Sequence, residues 1–306
     1  MAVSGTAASA SAWENLLAGF GQLRQQEMMA RHTTLGVGGP ARWFFRPHSH
    51  EDLLAAIQTI PADISILPLG RGSNMLVSDD GVDGLVLDLS KLDAIQIEDR
   101  YVTAGTGVRM GKLAQTVAQN GLAGLEFMAT VPGNVGGGIA MNAGAFGQQI
   151  SDTLVSIEII ERGSRSRQVD AEELHMAYRR TQLPAGALVV SATFELKSDD
   201  PAVIRKRMRY MRQTRSTSQP LAQPNCGSVF KNPPQDHAAR LIEAAGLKGK
   251  RIGGARISDM HANFIINDGN ATSQDILELI RTAQMEVEAQ FDVRLEPEVR
   301  IVGLST

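Results

Sequence analysis

The chain has 306 residues, which at about 100–200 residues per domain makes two or three units rather than one. Hydrophobic residues make up 43% and charged residues 21%, a balance that suits a globular protein with a sizeable core. The formal charge of −3 excludes the strongly basic character of a dedicated nucleic-acid or membrane-surface binder, so neither partner is expected.

A single cysteine, Cys226, rules out an internal disulfide framework and a Cys-type zinc site, and it suits a reducing compartment. The histidines and acids show no metal-ligand spacing, so no metal is expected. The N-terminal run MAVSGTAASASA has neither a basic n-region nor an apolar stretch, which excludes a secretory signal. Residues 1–30 read as a small-residue tail and a helix. The uncharged stretch 127–151 holds six glycines and a proline, which is no membrane helix. A cytoplasmic location is expected, with a monomer assumed and an oligomer left open.

In chain order, 41–46 predicts a strand. Ser49, followed by Glu51 and Asp52, caps a helix with Leu53, Leu54, Ile57 and Ile60 on one face, and Pro61 stops it. Short strands follow at 64–68, 76–78, 85–89, 95–98 and 101–104, separated by Gly and Asp turns. A helix over 110–120 closes with Gly121 in the C′ position. Strands resume at 153–161, 167–169 and 188–196. Asp199 or Asp200 caps a basic helix with Pro201 in its first turn. Helices near 236–245 and 274–290 come next, the latter behind a capping box at Thr272 to Asp275. A strand over 293–302 ends the chain. These elements describe a mixed α+β protein with too few helices for a doubly wound parallel sheet. A boundary falls near residue 200, with an internal division near 95.

Glycine is concentrated in three places. Residues 131–147, VPGNVGGGIAMNAGAFG, carry six in seventeen positions, and LGRGSNMLVSD (69–79) and LGVGGPA (35–41) add two further clusters. Loops without side chains let backbone N–H groups cradle a phosphate or pyrophosphate, although any one of them equally suits a tight turn. Together they favour a nucleotide-type ligand. The run GTGVRMG (105–111) misplaces the third glycine of a Rossmann fingerprint, and no P-loop motif exists.

In the second half, STSQPLAQPNCGSVFKNPP (216–234) gathers a thiol (Cys226), a hydroxyl (Ser228), an ammonium (Lys231) and an amide (Asn232). Prolines stiffen the segment, and a catalytic hydroxyl needs such stiffness. Either Cys226 or Ser228 could donate a proton or act as nucleophile, and the thiol has the lower reference pKa, about 8.5. The basic run 205–215 suits a solvated helix face or a diphosphate. Glu296 and Glu298 are two apart, hence on one face of an extended segment. Near the end of a buried strand, such acids can supply a carboxyl with a raised pKa.

Read together, HTTLGVGGPA (32–41), PLGRGSNMLVSD (68–79), EFMATVPGNVGGGIAMNAGA (126–145), AYRRTQLP (177–184), PNCGSVFKNP (224–233), HANFIIN (261–267) and LEPEVRIVG (295–303) strongly resemble the UDP-N-acetylenolpyruvoylglucosamine reductase family. The resemblance covers about residues 31–303. It implies a two-lobed FAD-binding domain of the PCMH/vanillyl-alcohol-oxidase type over 31–200, followed by a smaller α+β domain for the UDP-sugar over 201–306.

It further implies that FAD is held non-covalently by Gly70, Arg71, Gly72, Ser73, Asn74 and Met75. Pro132, Gly133, Val135, Gly136, Gly137 and Asn142 complete that set. NADPH reduces FAD and leaves, and UDP-N-acetylglucosamine enolpyruvate takes its place. Hydride passes to the terminal vinyl carbon. By the resemblance, Arg179 clamps the substrate carboxylate, a protonated Glu298 assists, and Ser228 protonates the adjacent carbon. Tyr178, Lys231 and Asn232 match substrate-contacting positions.

One departure concerns Tyr178–Arg179–Arg180–Thr181, where the family usually carries Ser one residue after the Tyr-Arg pair. Thr181 keeps a hydroxyl nearby, but Arg180 becomes a rival carboxylate ligand. Two other readings stand beside the reductase. One is another FAD-dependent oxidoreductase acting on a small alcohol, the other a non-catalytic nucleotide-binding module.

Overall fold

The computed structural model describes residues 12–304, so positions 1–11 of the N-terminal run lie outside the described residues. Helix Ala12–Ala18 leads into strand Gly21–Met28, which pairs antiparallel with Pro40–Pro47, Gly21 opposite Pro47 and Met28 opposite Pro40. This strand corrects the expectation of only a tail and a helix over 1–30. Its sequence, GQLRQQEM, is mostly polar and forms the edge of its sheet, so it carries no apolar alternation to mark it.

Strands Val82–Asp88 and Ile66–Leu69 extend the sheet in parallel from Pro40–Pro47. Parallel neighbours need a crossover, and helix His50–Thr59 supplies it. Ser49 caps that helix by accepting the Asp52 N–H at 3.1 Å. Phe44 and Phe45 point to opposite faces, as successive strand residues must. Phe45 packs with Leu53 and Ile57, and Phe44 packs with Met29, Leu69 and Val86.

The second sheet is antiparallel, in the order Arg167–Asp170, Leu154–Ile160, Leu188–Glu195, Tyr101–Gly105, Ile95–Glu98. Helix Met110–Gln119 covers it, burying Leu113 and Val117 against Phe127 and Phe194. The run GTGVRMG therefore leaves a strand of an antiparallel sheet, which is not a Rossmann crossover.

Beyond Asp200, whose carboxylate accepts the Ala202 N–H at 2.7 Å, runs helix Pro201–Ser218. A small sheet of Arg251–Ile252, Ala255–Ile257 and Ile265–Asn267 packs against helix Ser273–Phe291. Their core, with Phe230, Leu241, Ile276 and Ile280, also takes in Leu35, Val37 and Leu76 from the first part of the chain.

The expected final strand over 293–302 shrinks to Arg300–Val302, which pairs in parallel with Met75–Val77. Pro297 has no N–H to offer a ladder. The amides of Glu298 and Val299 converge on one acceptor, the Val229 carbonyl, which regular pairing does not allow. Among the described residues no helix is long and apolar enough to cross a membrane.

Candidate active site

Loops 70–75 and 131–144 face the C-terminal segments across a cavity of about 230 Å³. Gly70 to Met75, Pro132, Gly133 and Gly137 line one side, and Arg179, Arg215, Cys226, Ser228, Glu298 and Arg300 line the rest. A second cavity of about 410 Å³ shares Arg71, Ser73, Pro132, Gly133 and Gly227 with it and adds Arg109 and Lys112.

The two glycine loops are rich in idle donors. Among the described residues, the amides of Arg71, Gly72, Ser73 and Asn74 reach no acceptor within the chain, and neither do those of Gly133, Asn134 and Gly137. Backbone N–H groups are seldom left unpaired, so this cluster suits an anion. Gly72 can only be glycine, because its φ is +59° and a Cβ there would lie 2.1 Å from the His32 carbonyl oxygen. A Cβ on Gly137 would meet nothing within 4 Å, so it would project into the cavity. Unpaired amides and a bare backbone fit the diphosphate of FAD.

Three expected cofactor contacts do not line the cavity. Val135 is fully buried, and its amide donates to the Val108 carbonyl. Gly136 packs where a Cβ would come within 1.8 Å of Thr106 Oγ1. Asn142 is fully buried and donates to the Ala177 carbonyl at 3.0 Å, while its Oδ1 accepts the Ser151 N–H at 3.0 Å. These residues shape the loop instead, and Asn142 anchors the turn that carries Arg179.

That turn closes through mutual bonds between Ala177 and Arg180, at 2.9 and 3.1 Å. Arg179 sits in it with φ +53°, a conformation that a long side chain adopts only under local constraint. Its Nε pairs with Glu298 Oε1 at 3.0 Å and its Nη2 donates to the Gly144 carbonyl at 2.7 Å. Its guanidinium carbon lies 5.1 Å from the centre of the Tyr178 ring. Arg180 is exposed and absent from the cavity wall. The Thr181 hydroxyl donates to the Ile139 carbonyl at 2.5 Å, and Thr181 does not line the cavity.

Ser228 follows Gly227, whose amide donates to Asn225 Oδ1 at 2.8 Å. Just beyond it, Asn263 grips Phe230 from both sides. Its Oδ1 accepts the Phe230 N–H at 2.9 Å and its Nδ2 donates to the Phe230 carbonyl at 2.8 Å. The Ser228 hydroxyl, on the cavity wall, has no partner within the chain among the described residues. Cys226 is 2% exposed, and burial pushes its thiol up to about 12. The reference acidity that favoured the thiol is therefore lost.

Burial also raises the affinity of Glu298 for a proton, against the opposing pull of Arg179, Lys231 and Arg215. Glu296 has a different environment, with a side chain 70% exposed and paired to Lys231 at 2.5 Å. The extended segment that would have given both acids one setting is broken at Pro297. Tyr178, Lys231 and Asn232 form a cluster outside the cavity lining. The Tyr178 hydroxyl accepts the Asn232 N–H at 3.4 Å, and Asn232 Oδ1 accepts the Ala238 N–H at 3.1 Å.

Residues that sequence reasoning left without a role here are Asn263, Arg215 and Arg300. Asn263 lies in HANFIIN and Arg215 ends the basic run, so both stood in visible signals. Arg215 donates to the Thr130 carbonyl at 2.7 Å. Arg300 lines the cavity with no side-chain partner among the described residues, and burial lowers its pKa.

Two family models match. One, the UDP-N-acetylenolpyruvoylglucosamine reductase C-terminal domain, covers residues 219–302, and the other, an FAD binding domain, covers 41–167. A UDP-N-acetylenolpyruvoylglucosamine reductase of Alkalilimnicola ehrlichii is 44% identical over 284 residues, 92% of this chain and 95% of that one. The chain belongs to the UDP-N-acetylenolpyruvoylglucosamine reductase family. A family member from Thiobacillus denitrificans is also 44% identical, over 92% and 93% of the two chains. The solved structure of the Thermus caldophilus reductase superimposes with a TM-score of 0.80 at 35% identity, covering 92% of this chain and all of that one. Family membership and the matched cofactor domain make this an FAD-dependent oxidoreductase with the expected α+β architecture.

Proposed function

We propose that this chain reduces UDP-N-acetylglucosamine enolpyruvate to UDP-N-acetylmuramate in the cytoplasm as a monomer, with NADPH as electron donor. The observation that carries the reading is a single cavity holding Arg179, Ser228 and Glu298 beside two loops of unpaired amides. Residues 31–200 would hold FAD and 201–306 the sugar nucleotide. The amides of 71–74 and of Gly133, Asn134 and Gly137 would hold the FAD diphosphate, with Arg300 a further cation for the cofactor.

When bound, FAD supplies the hydride that saturates the terminal vinyl carbon, after NADPH has reduced it. Negative charge then develops on the substrate carboxylate. Arg179, locked in place by Gly144 and its own turn, stabilises that charge with aligned N–H donors. As the carboxylate claims Arg179, the charge that opposes protonation of Glu298 is drawn away, which favours a protonated Glu298 able to hydrogen-bond the same charge. Ser228 gives its hydroxyl proton to the carbon next to the carboxylate, completing the lactyl ether. Tyr178, Lys231 and Asn232 would contact the sugar nucleotide.

The test is an anaerobic absorbance experiment on the purified protein. Addition of NADPH bleaches the oxidised-flavin band, and UDP-N-acetylglucosamine enolpyruvate restores it. Bleaching without recovery would overturn the substrate, and a protein that cannot be loaded with FAD would overturn the whole reading.

A further inference from the structure

Asn74 belongs to the glycine loop that the proposed function assigns to the cofactor, yet its side chain is spent elsewhere. Its Nδ2 donates to the Glu298 carbonyl at 3.0 Å. Its own carbonyl accepts the Arg300 N–H, also at 3.0 Å. One residue thus holds the peptide groups on both sides of Val299. Only an amide nitrogen can face a carbonyl in this way, so the orientation of the Asn74 side chain is fixed by its partner.

The bonds bear directly on where Glu298 points. Val299 is buried, 4% exposed, in the C-terminal core, whereas Glu298 and Arg300 both line the cavity. That alternation is what an extended segment gives when its backbone is held. On the other side, the Glu298 amide donates to the Val229 carbonyl at 2.7 Å, one residue past Ser228. The Glu298 peptide is therefore held between the proton-donor segment and the cofactor loop.

We propose that Asn74 is a positioning residue for Glu298, tying the carboxyl that faces the substrate to the loop that faces the cofactor. The inference rests on the proposed reaction and deepens it. Asn74 acts through the backbone of Glu298 and touches no reacting atom. Its effect falls on the half of the cycle that uses Glu298, the reoxidation of flavin by the enolpyruvyl sugar. Hydride delivery from NADPH does not use it.

Asn74→Ala and Asn74→Asp test the assignment in the FAD-loaded protein. Alanine removes the donor, while aspartate keeps the shape and turns an acceptor towards the Glu298 carbonyl. Both variants keep the Asn74 backbone amide, so any loss of FAD affinity or of the NADPH half-reaction should be clearly smaller than the loss in reoxidation. Reoxidation should slow by about 10- to 100-fold, the scale of an ångström-sized misplacement. The alkaline limb of its pH profile should move upward, because a carboxyl that drifts from Arg179 gives up its proton less readily. Hydrogen exchange in a peptide covering 296–302 should quicken.

Loss of FAD in step with loss of rate, or equal slowing of both half-reactions, would overturn the proposal by placing Asn74 on the cofactor. Unchanged reoxidation with an unmoved limb would overturn it by showing the bond to be idle. Wild-type protein run alongside separates the two readings. If it is bleached but never restored by the enolpyruvyl sugar, the proposed reaction has failed; if it is restored, a normal variant condemns Asn74 alone.

Discussion

Arg179 and Glu298 meet at 3.0 Å, one from a two-residue turn in the first 200 residues and the other from beside the last strand. Arg179 is also bonded to Gly144 in a glycine loop, so a single guanidinium links that loop, the turn and the terminal segment. Burial raises the affinity of Glu298 for a proton, and Arg179 opposes that rise. The balance changes when an anionic substrate competes for the arginine, and that gives the pair a switching character which neither residue has alone.

Replacement of Ser228 by alanine removes the proposed proton donor and little volume. Reoxidation by the enolpyruvyl sugar should fall by about 10²- to 10⁴-fold, the usual worth of a positioned proton donor. Bleaching by NADPH should persist, and rapid mixing resolves the two steps.

Cys226→Ala should leave both half-reactions near wild type, since a thiol held near 12 is neither ionised nor a ready acid. The apoprotein should react sluggishly with iodoacetamide at neutral pH, as followed by mass spectrometry. If Cys226→Ala instead abolishes reoxidation while Ser228→Ala does not, the roles are exchanged.

The proposed mechanism uses Glu298 with its proton on, and burial raises its pKa. Reoxidation should therefore be fastest below that pKa and decline as pH rises through it. In Glu298→Gln this limb should vanish, leaving a lower rate that is flat across the same range. The stability linked to a raised carboxyl pKa has the same sign. It is present below the unfolded value, near 4.3, and fades as pH climbs through the folded one. Thermal melts should show wild type losing more stability across that window than the glutamine variant.

Adjacent glycines should behave oppositely. Gly137→Val places its side chain where nothing stands within 4 Å of a Cβ, so the fold should survive while FAD binds at least about tenfold more weakly, about 1.4 kcal/mol. Gly136→Ala forces a Cβ to 1.8 Å from Thr106 Oγ1. It should lower stability by about 1–3 kcal/mol through overpacking. Calorimetry and fluorescence titration with FAD separate the two effects.

Much of this was legible in the residues. Ser49, Asp200 and Thr272 announce their helices because a cap is a local bargain between one side chain and nearby amides. The strands at 95–98 and 101–105 show through their β-branched and turn residues. Gly21–Met28 escaped because a polar edge strand is specified by its partner's backbone. The last strand was overdrawn because the sequence LEPEVRIVG does not reveal that two amides share the Val229 carbonyl. At the site, the glycine loops declared an anion cradle, but not which members face it. Val135, Gly136 and Asn142 sit in the same motif as Gly133 and Gly137, and only packing sorts them. Arg300 and Asn74 depend on contacts between segments 224 positions apart, beyond the reach of local pattern.

The strand Arg300–Val302 lies alongside Met75–Val77 in parallel. During synthesis the first lobe can form early, but Met75–Val77 gains its strand partner only when residues 300–302 have left the ribosome. Such a long loop closure makes this a late and slow contact. The cleft is thus sealed from the tail, and a nascent or prematurely terminated chain carries its glycine loop without the Glu298 and Arg300 that complete it. Truncation ahead of Glu298 would be a lesion of the proposed reaction centre as much as of the fold.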